Sequence, residues 1–177
     1  MVNWAQDDEN IEMGKSAFYK IEGCATWIPG VVEGTKQAYY LACTVCKKKV
    51  TEEQGGYNCV NCDRMFEDAN PSYVFSAKVC DYSDSTFISF MGETGNSLLG
   101  MTAREFHEAM KSGNQEAVES AIQDNYFKPI ALVVRAKREA FQGASGTIRF
   151  FVQKVLTPSP SKQNVSLLER LAIYNKM

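Results

Sequence analysis

Six cysteines occur in 177 residues, and four of them fall into two pairs of identical spacing, Cys43-x-x-Cys46 and Cys59-x-x-Cys62, separated by the twelve residues 47–58. Each pair fits a tight turn that presents two thiolates to one side, so the two pairs together offer four soft ligands to a single tetrahedral ion. Zinc is the expected metal. A redox dithiol and buried free cysteines are the alternatives for this spacing, but two matched pairs bracketing a hairpin with Gly55-Gly56 at its turn favour the ion. All four positions are filled by protein, which leaves none for an activated water and makes the site structural. Such an ion contributes on the order of 10 kcal/mol to ordering its insert. Cys24 and Cys80 stand in apolar, strand-like contexts and are expected to be core thiols with no redox role.

Catalytic chemistry finds little to work with. His107 is the only histidine, lies in a helical stretch beside Phe106 and is followed directly by Glu108, so the His-x-Glu signature of zinc deaminases is absent and a helix-surface histidine is expected. Gly14-Lys15-Ser16 resembles the end of a phosphate-binding loop, but the glycine required earlier would fall at Glu9. An enzyme is not expected. Between residues 128 and 156 the charges are Lys128, Arg135, Lys137, Arg138, Arg149 and Lys154 against Glu139 alone, a local basic surface. Phe141 lies within the same stretch, Phe87 and Met91 share the outward face of an earlier strand, and Lys78 points outward on its neighbour. Aromatic platforms beside a cationic path are what sequence-tolerant binding of a single nucleic-acid strand requires. The expected contacts are therefore Phe141, Phe87, Lys78, Met91, Arg135, Lys137 and Arg149. A generic solvated strand face is the bland alternative.

These side chains need a sheet to carry them. Residues 18–28 are rich in aromatic and β-branched types and end at Pro29-Gly30, as a strand before a turn does. Residues 38–42 form a short strand leading into the cysteines. Tyr73, Phe75, Ala77 and Val79 alternate with polar positions, and 85–91 pairs with them through a turn at Ser83-Asp84, with Ile88 and Phe90 facing inward. Thr102-x-x-Glu105 is a capping box opening a helix that Ser112-Gly113 stops, and Val118, Ala121 and Ile122 mark a second helix ending before Pro129. Residues 130–138 and 147–156 read as two strands around a loop holding Phe141 to Gly146. Ser166-Leu-Leu-Glu169 starts a last helix with Leu167, Leu168, Leu171 and Tyr174 on one stripe.

The order describes a mainly β domain, a five-stranded Greek-key barrel of the OB type with helices between strands 3 and 4, an inserted four-cysteine zinc ribbon and a C-terminal helix. Residues 1–16 are acidic and aperiodic and read as a linker or terminal edge, 17–157 as the barrel with its ribbon at 39–68, and 158–177 as an assembly helix. The formal charge of -2 means that a polyanion must be held by a patch and not by overall charge. No apolar run reaches the roughly 20 residues of a spanning helix, and no signal peptide opens the chain, so a soluble intracellular protein without a membrane partner is expected.

The stretch from Tyr39-Tyr-Leu-Ala-Cys43 through Lys48-Lys49-Val50, Tyr57-Asn-Cys59-x-x-Cys62-Asp63 and Ala77-Lys-Val-Cys-Asp81 to Leu98-Leu-Gly100 resembles the C-terminal DNA-binding domain of the replication protein A large subunit. The resemblance runs from about Phe18 to the final helix. It implies an OB-fold with a zinc ribbon, single-stranded DNA as ligand, a terminal helix bundling with two smaller OB-fold subunits, and a nuclear location. Cys43, Cys46, Cys59 and Cys62 match the zinc ligands, Phe141 an aromatic residue between strands 4 and 5 that stacks on bases, and Phe87 a strand 3 aromatic. The first cysteine spacing is shorter than usual, and Met91 stands in place of a second strand 3 aromatic. The first of these departures leaves zinc intact; the second suggests a divergent paralogue, such as the telomerase-associated type, which holds G-rich telomeric repeats and has telomerase as a partner. The alternative function is a subunit-assembly module, using ribbon and terminal helix, with little DNA binding of its own.

Overall fold

The computed structural model describes Ile11 and residues 15–29, 38–141 and 144–159, with 139–141 and 144–146 as backbone path, and the single positions 161, 164, 165, 168 and 172. Among the described residues the named elements are, in order, β1 (Ser16–Trp27), β2 (Tyr39–Ala42), β3 (Thr51–Glu53), β4 (Gly56–Cys59), β5 (Arg64–Phe66), β6 (Asn70–Cys80), β7 (Ser85–Met91), α1 (Glu93–Leu99), α2 (Ala103–Lys111), α3 (Gln115–Gln123), β8 (Pro129–Phe141) and β9 (Ala144–Leu156).

Alternation builds the barrel. Every second residue of β6, from Tyr73 to Val79, is buried, as are Ile88 and Phe90 of β7, Leu132, Val134 and Ala136 of β8, and Ile148, Phe150 and Val152 of β9. Fully burying one such large apolar side chain stabilises by about 1.5–3 kcal/mol, so inward positions fix the register of each strand. The strands run in the order β1-β8-β9-β7-β6-β2, and β6 also pairs back onto β1, so that five of the six close the ring and β2 extends one edge. All pairings are antiparallel except β7 with β9, where the helices intervene in sequence. This is the expected five-stranded barrel. At its core Phe75 and Phe90 stack with centroids 5.6 Å apart, and Tyr73 meets Phe106 of α2 edge-on. Val118 and Ile122 of α3 complete the helical plug.

The closing seam between β1 and β6 is short, holding the pairs Cys24↔Cys80, Ala25↔Val79 and Trp27↔Lys78 with an irregularity after Ala25. Gly23 lets the two backbones approach: a Cβ there would lie 2.2 Å from the Cys80 carbonyl oxygen. Because backbone must move to relieve that contact, Gly23→Ala is expected to cost about 3 kcal/mol, the upper end for overpacking, and to lower Tm by roughly 6–12 °C in a thermal scan. A smaller shift would mean that the seam yields easily.

Four features differ from expectation. Cys24 and Cys80 are half-exposed seam residues, not core thiols, because their strands meet at the rim where the barrel closes. Within the supposed linker at 1–16, Ile11 belongs to the main core and its carbonyl accepts a hydrogen bond from Arg138 Nε at 2.8 Å, while β1 begins at Ser16. Most of the loop expected at Phe141 to Gly146 is strand: β8 reaches Phe141, which pairs with Ala144, the first residue of β9. His107 is not a bare surface residue. It is half-buried, with Nδ1 2.9 Å from the Tyr39 hydroxyl, and burial pushes its pKa below the usual value.

The capping box at Thr102 and Glu105 forms as expected. The apolar stripe of the last segment, Leu167, Leu171 and Tyr174 with the cap at Ser166 and Glu169, lies outside the described residues, although Leu168 within it is helical and exposed. Among the described residues no helix is long and apolar enough to cross a membrane.

Candidate metal centre and nucleic-acid interface

Between β2 and β6 the chain leaves the barrel to build a separate three-stranded sheet, β3-β4-β5. Its strands are three or four residues long, too short to stand alone, and its core is small: Cys43, Val50, Cys59 and Ala69 buried, with Tyr57 and Phe66 against them. Both cysteine pairs sit on tight knuckles, closed by backbone bonds of different span. In the first, the Lys47 N–H donates to the Cys43 carbonyl at 3.1 Å; in the second, Cys62 N–H donates to the Cys59 carbonyl at 3.1 Å. Each turn ends on a residue with positive φ, Lys47 at 61° and Asp63 at 51°.

The knuckles bring the four sulfurs within 4.8 Å of one another, with Cys46–Cys59 at 3.5 Å and Cys43–Cys62 at 3.9 Å. A tetrahedral ion with metal–sulfur bonds of about 2.3 Å requires sulfurs about 3.8 Å apart, so the cluster fits such an ion. Burial opposes ionisation of Cys43, yet the backbone N–H groups of Cys46 and Val45 and the neighbouring thiols outweigh it and bring its pKa down to about 6. Cys62 goes the other way, to about 12, first through its hydrogen bond with Cys46 and then through burial. Four thiols this close cannot all ionise without a cation among them.

On the barrel, the ladder aligns side chains that lie far apart in sequence. Trp27 is opposite Lys78, and Lys78 opposite Phe87. Phe87 and Arg149 stand one step before the parallel pair Ile88↔Phe150, and Arg149 is opposite Lys137. One outward row therefore reads Trp27, Lys78, Phe87, Arg149, Lys137. A second row beside it carries Phe18, Arg135, Phe151 and Ser89, with the Arg135 guanidinium 5.5 Å from the Phe151 ring centre. Trp27 meets Phe87 edge-on at 5.9 Å, both substantially exposed at 43% and 56%. With Val74, Met91 and Phe151 they line an open groove of about 580 Å³ whose charged member is Arg149.

Of the contacts expected from sequence, Phe87, Met91 and Arg149 line this groove, and Lys78, Lys137 and Arg135 flank it. Phe141 is placed by its backbone at the tip of the β8–β9 ribbon. Sequence reasoning missed Trp27, Val74 and Phe151. An exposed tryptophan at a strand end was the available signal, since buried sites usually claim that residue.

A closed five-stranded barrel, with helices bridging its third and fourth strands and a cysteine cluster inserted after the first, defines an OB-fold module carrying a ribbon. The chain belongs to the replication factor-A C-terminal domain family, whose profile matches residues 21–167. It is 28% identical over 140 residues to the mouse replication protein A 70 kDa DNA-binding subunit, an alignment covering 77% of this chain and 22% of that protein. To the counterpart of that protein in Tetrahymena thermophila it is 32% identical over 71 residues, 40% of this chain and 11% of that one. The chain thus spans about a fifth of the length of the mouse relative. Among solved structures, a replication protein A heterotrimer bound to ssDNA superposes with a TM-score of 0.81 at 21% identity, over 96% of this chain and 38% of that one. Yeast RPA bound to ssDNA gives 0.75 at 19% identity, over 96% and 94%.

Proposed function

We propose that this domain binds single-stranded DNA in the nucleus, laying the strand along the row from Trp27 to Lys137. The observation that carries the reading is the row itself: two exposed rings in edge contact, with Lys78, Arg149 and Lys137 interleaved and Arg135 alongside. The rings give sequence-tolerant stacking and the cations neutralise phosphates. Cys43, Cys46, Cys59 and Cys62 hold one zinc ion, which folds the ribbon and takes no part in a reaction. The residues after β9 serve assembly with smaller OB-fold subunits; helical positions at 161, 164, 165, 168 and 172 support that role. Met91 at the groove, a flexible thioether beside aromatic walls, supports the finer reading of a G-rich telomeric strand held for telomerase.

Anisotropy titrations with a G-rich repeat and with oligo-dT of equal length, at one stated salt concentration, test both levels. Preference for the G-rich strand supports the telomeric role, equal binding a general replication role, and no binding to either moves the function to the assembly module. Four flanking cations predict a slope of log K against log[salt] of roughly -3, and Arg149→Ala is expected to make it shallower by about 0.7. An unchanged slope would take Arg149 off the strand's path.

A further inference from the structure

The four ribbon cysteines leave Cys24 and Cys80 unassigned. These two stand directly opposite each other across the antiparallel β1–β6 seam, and their sulfurs are 3.5 Å apart. Directly opposed residues in an antiparallel pair have Cα atoms about 4.5–5.5 Å apart, inside the window of about 4.4–6.8 Å that a disulfide needs. Rotation about the side-chain bonds therefore suffices to join them. Both are half-exposed, whereas Cys43 and Cys59 of the ribbon are buried. Gly23 adds to the closeness of the seam, since the Cys80 carbonyl occupies the place of its missing Cβ.

We infer that Cys24 and Cys80 form a reversible disulfide site, oxidised by a low-molecular-weight disulfide such as oxidised glutathione. The thiolate of one cysteine attacks the small disulfide, breaks its S–S bond and releases one small thiol, which takes up a proton. The other cysteine loses its proton and attacks the resulting mixed disulfide at the protein sulfur, expelling the second small thiol. Two protein thiols are oxidised and one small disulfide is reduced to two thiols. Burial, followed by the hydrogen bond with Cys80, pushes the Cys24 thiol up, which slows attack by this cysteine at rest. In a compartment where glutathione keeps thiols reduced, such a bond is transient. It staples the seam that closes the barrel, three residues before Trp27 and two after Lys78. Neither cysteine lines the groove.

The test equilibrates the zinc-loaded chain with oxidised and reduced glutathione and maps peptides without reduction by mass spectrometry, alongside zinc content and thermal scans. The expected result is a Cys24–Cys80 linked peptide pair lighter by two hydrogens, with zinc retained. Closing a loop between residues 56 apart in sequence raises Tm by about 5–10 °C, and dithiothreitol reverses it. In Cys80→Ser, and independently in Cys24→Ser should the first fail to fold, the link and the Tm rise disappear and glutathione stays on the remaining thiol. Absence of the linked pair, links confined to ribbon cysteines with zinc released, or a Tm rise that survives both substitutions would overturn it.

Discussion

Cys59→Ser is expected to unfold the ribbon while leaving the barrel folded. Cys59 is fully buried in a core of four residues, and its strands are too short to hold together by their ladders alone. On the zinc reading, the ion supplies on the order of 10 kcal/mol, far more than that core can replace. The substitution should reduce bound zinc from one ion per chain to none and open residues 44–66 to protease. The barrel core, built around Tyr73, Phe75 and Phe90, shares no buried residue with the ribbon core, and only the half-buried Leu41 packs against both. Its near-ultraviolet circular dichroism should persist. Since no groove-lining residue lies in the ribbon, affinity for a single strand should fall by less than tenfold. Full loss of binding with the barrel intact would instead place the ribbon on the strand's path.

The second large effect concerns the aromatic pair. Phe87→Ala and Trp27→Ala should each weaken single-strand binding by about 1–3 kcal/mol, roughly 5- to 150-fold in Kd. Their rings touch edge to face, so removing either also loosens the other. The double variant should fall short of the sum of the singles by about 0.5–1.5 kcal/mol. Tyr82→Ala supplies the comparison, because Tyr82 is 90% exposed in the β6–β7 turn and lines no part of the groove. Equal effects at Tyr82 and Phe87 would show that exposed aromatic surface in general, and not the groove, binds the strand.

What the chain discloses without its structure follows the range of the interactions involved. Alternation along β6 and β7, the box at Thr102 and Glu105, and the two cysteine pairs are local, and all were legible. The helix α1 was not: its entry residue Gly92 offers no side-chain cap, and Gly95 inside it is dictated by Tyr73, whose Cβ and ring atoms lie 2.7–2.8 Å from where a Cβ would be. A glycine that reads as a helix breaker is there for a neighbour far back in the sequence. The strand β5 was likewise hidden, since Arg64–Phe66 is short and its middle residue exposed. Within the candidate site, residue types were readable but alignment was not. Lys137 and Arg149 become neighbours only through the β8–β9 register, and Trp27 reaches Phe87 only because the barrel closes through Lys78. The same closure brings Cys24 to Cys80, which sequence reasoning set apart as unrelated core thiols.

The two ends of the cysteine insert are themselves neighbours. Ala42, the last residue of β2, is paired with Asn70, the first of β6, so the chain departs and returns at a single rung of the ladder. Everything between them leaves and rejoins the barrel there, with further ties to α2 through Glu52–Lys111 and Asp68–Arg104. An insert with touching ends exacts almost no closure entropy from its host. The length of the ribbon can thus change without altering the register of any strand of the barrel that carries the groove.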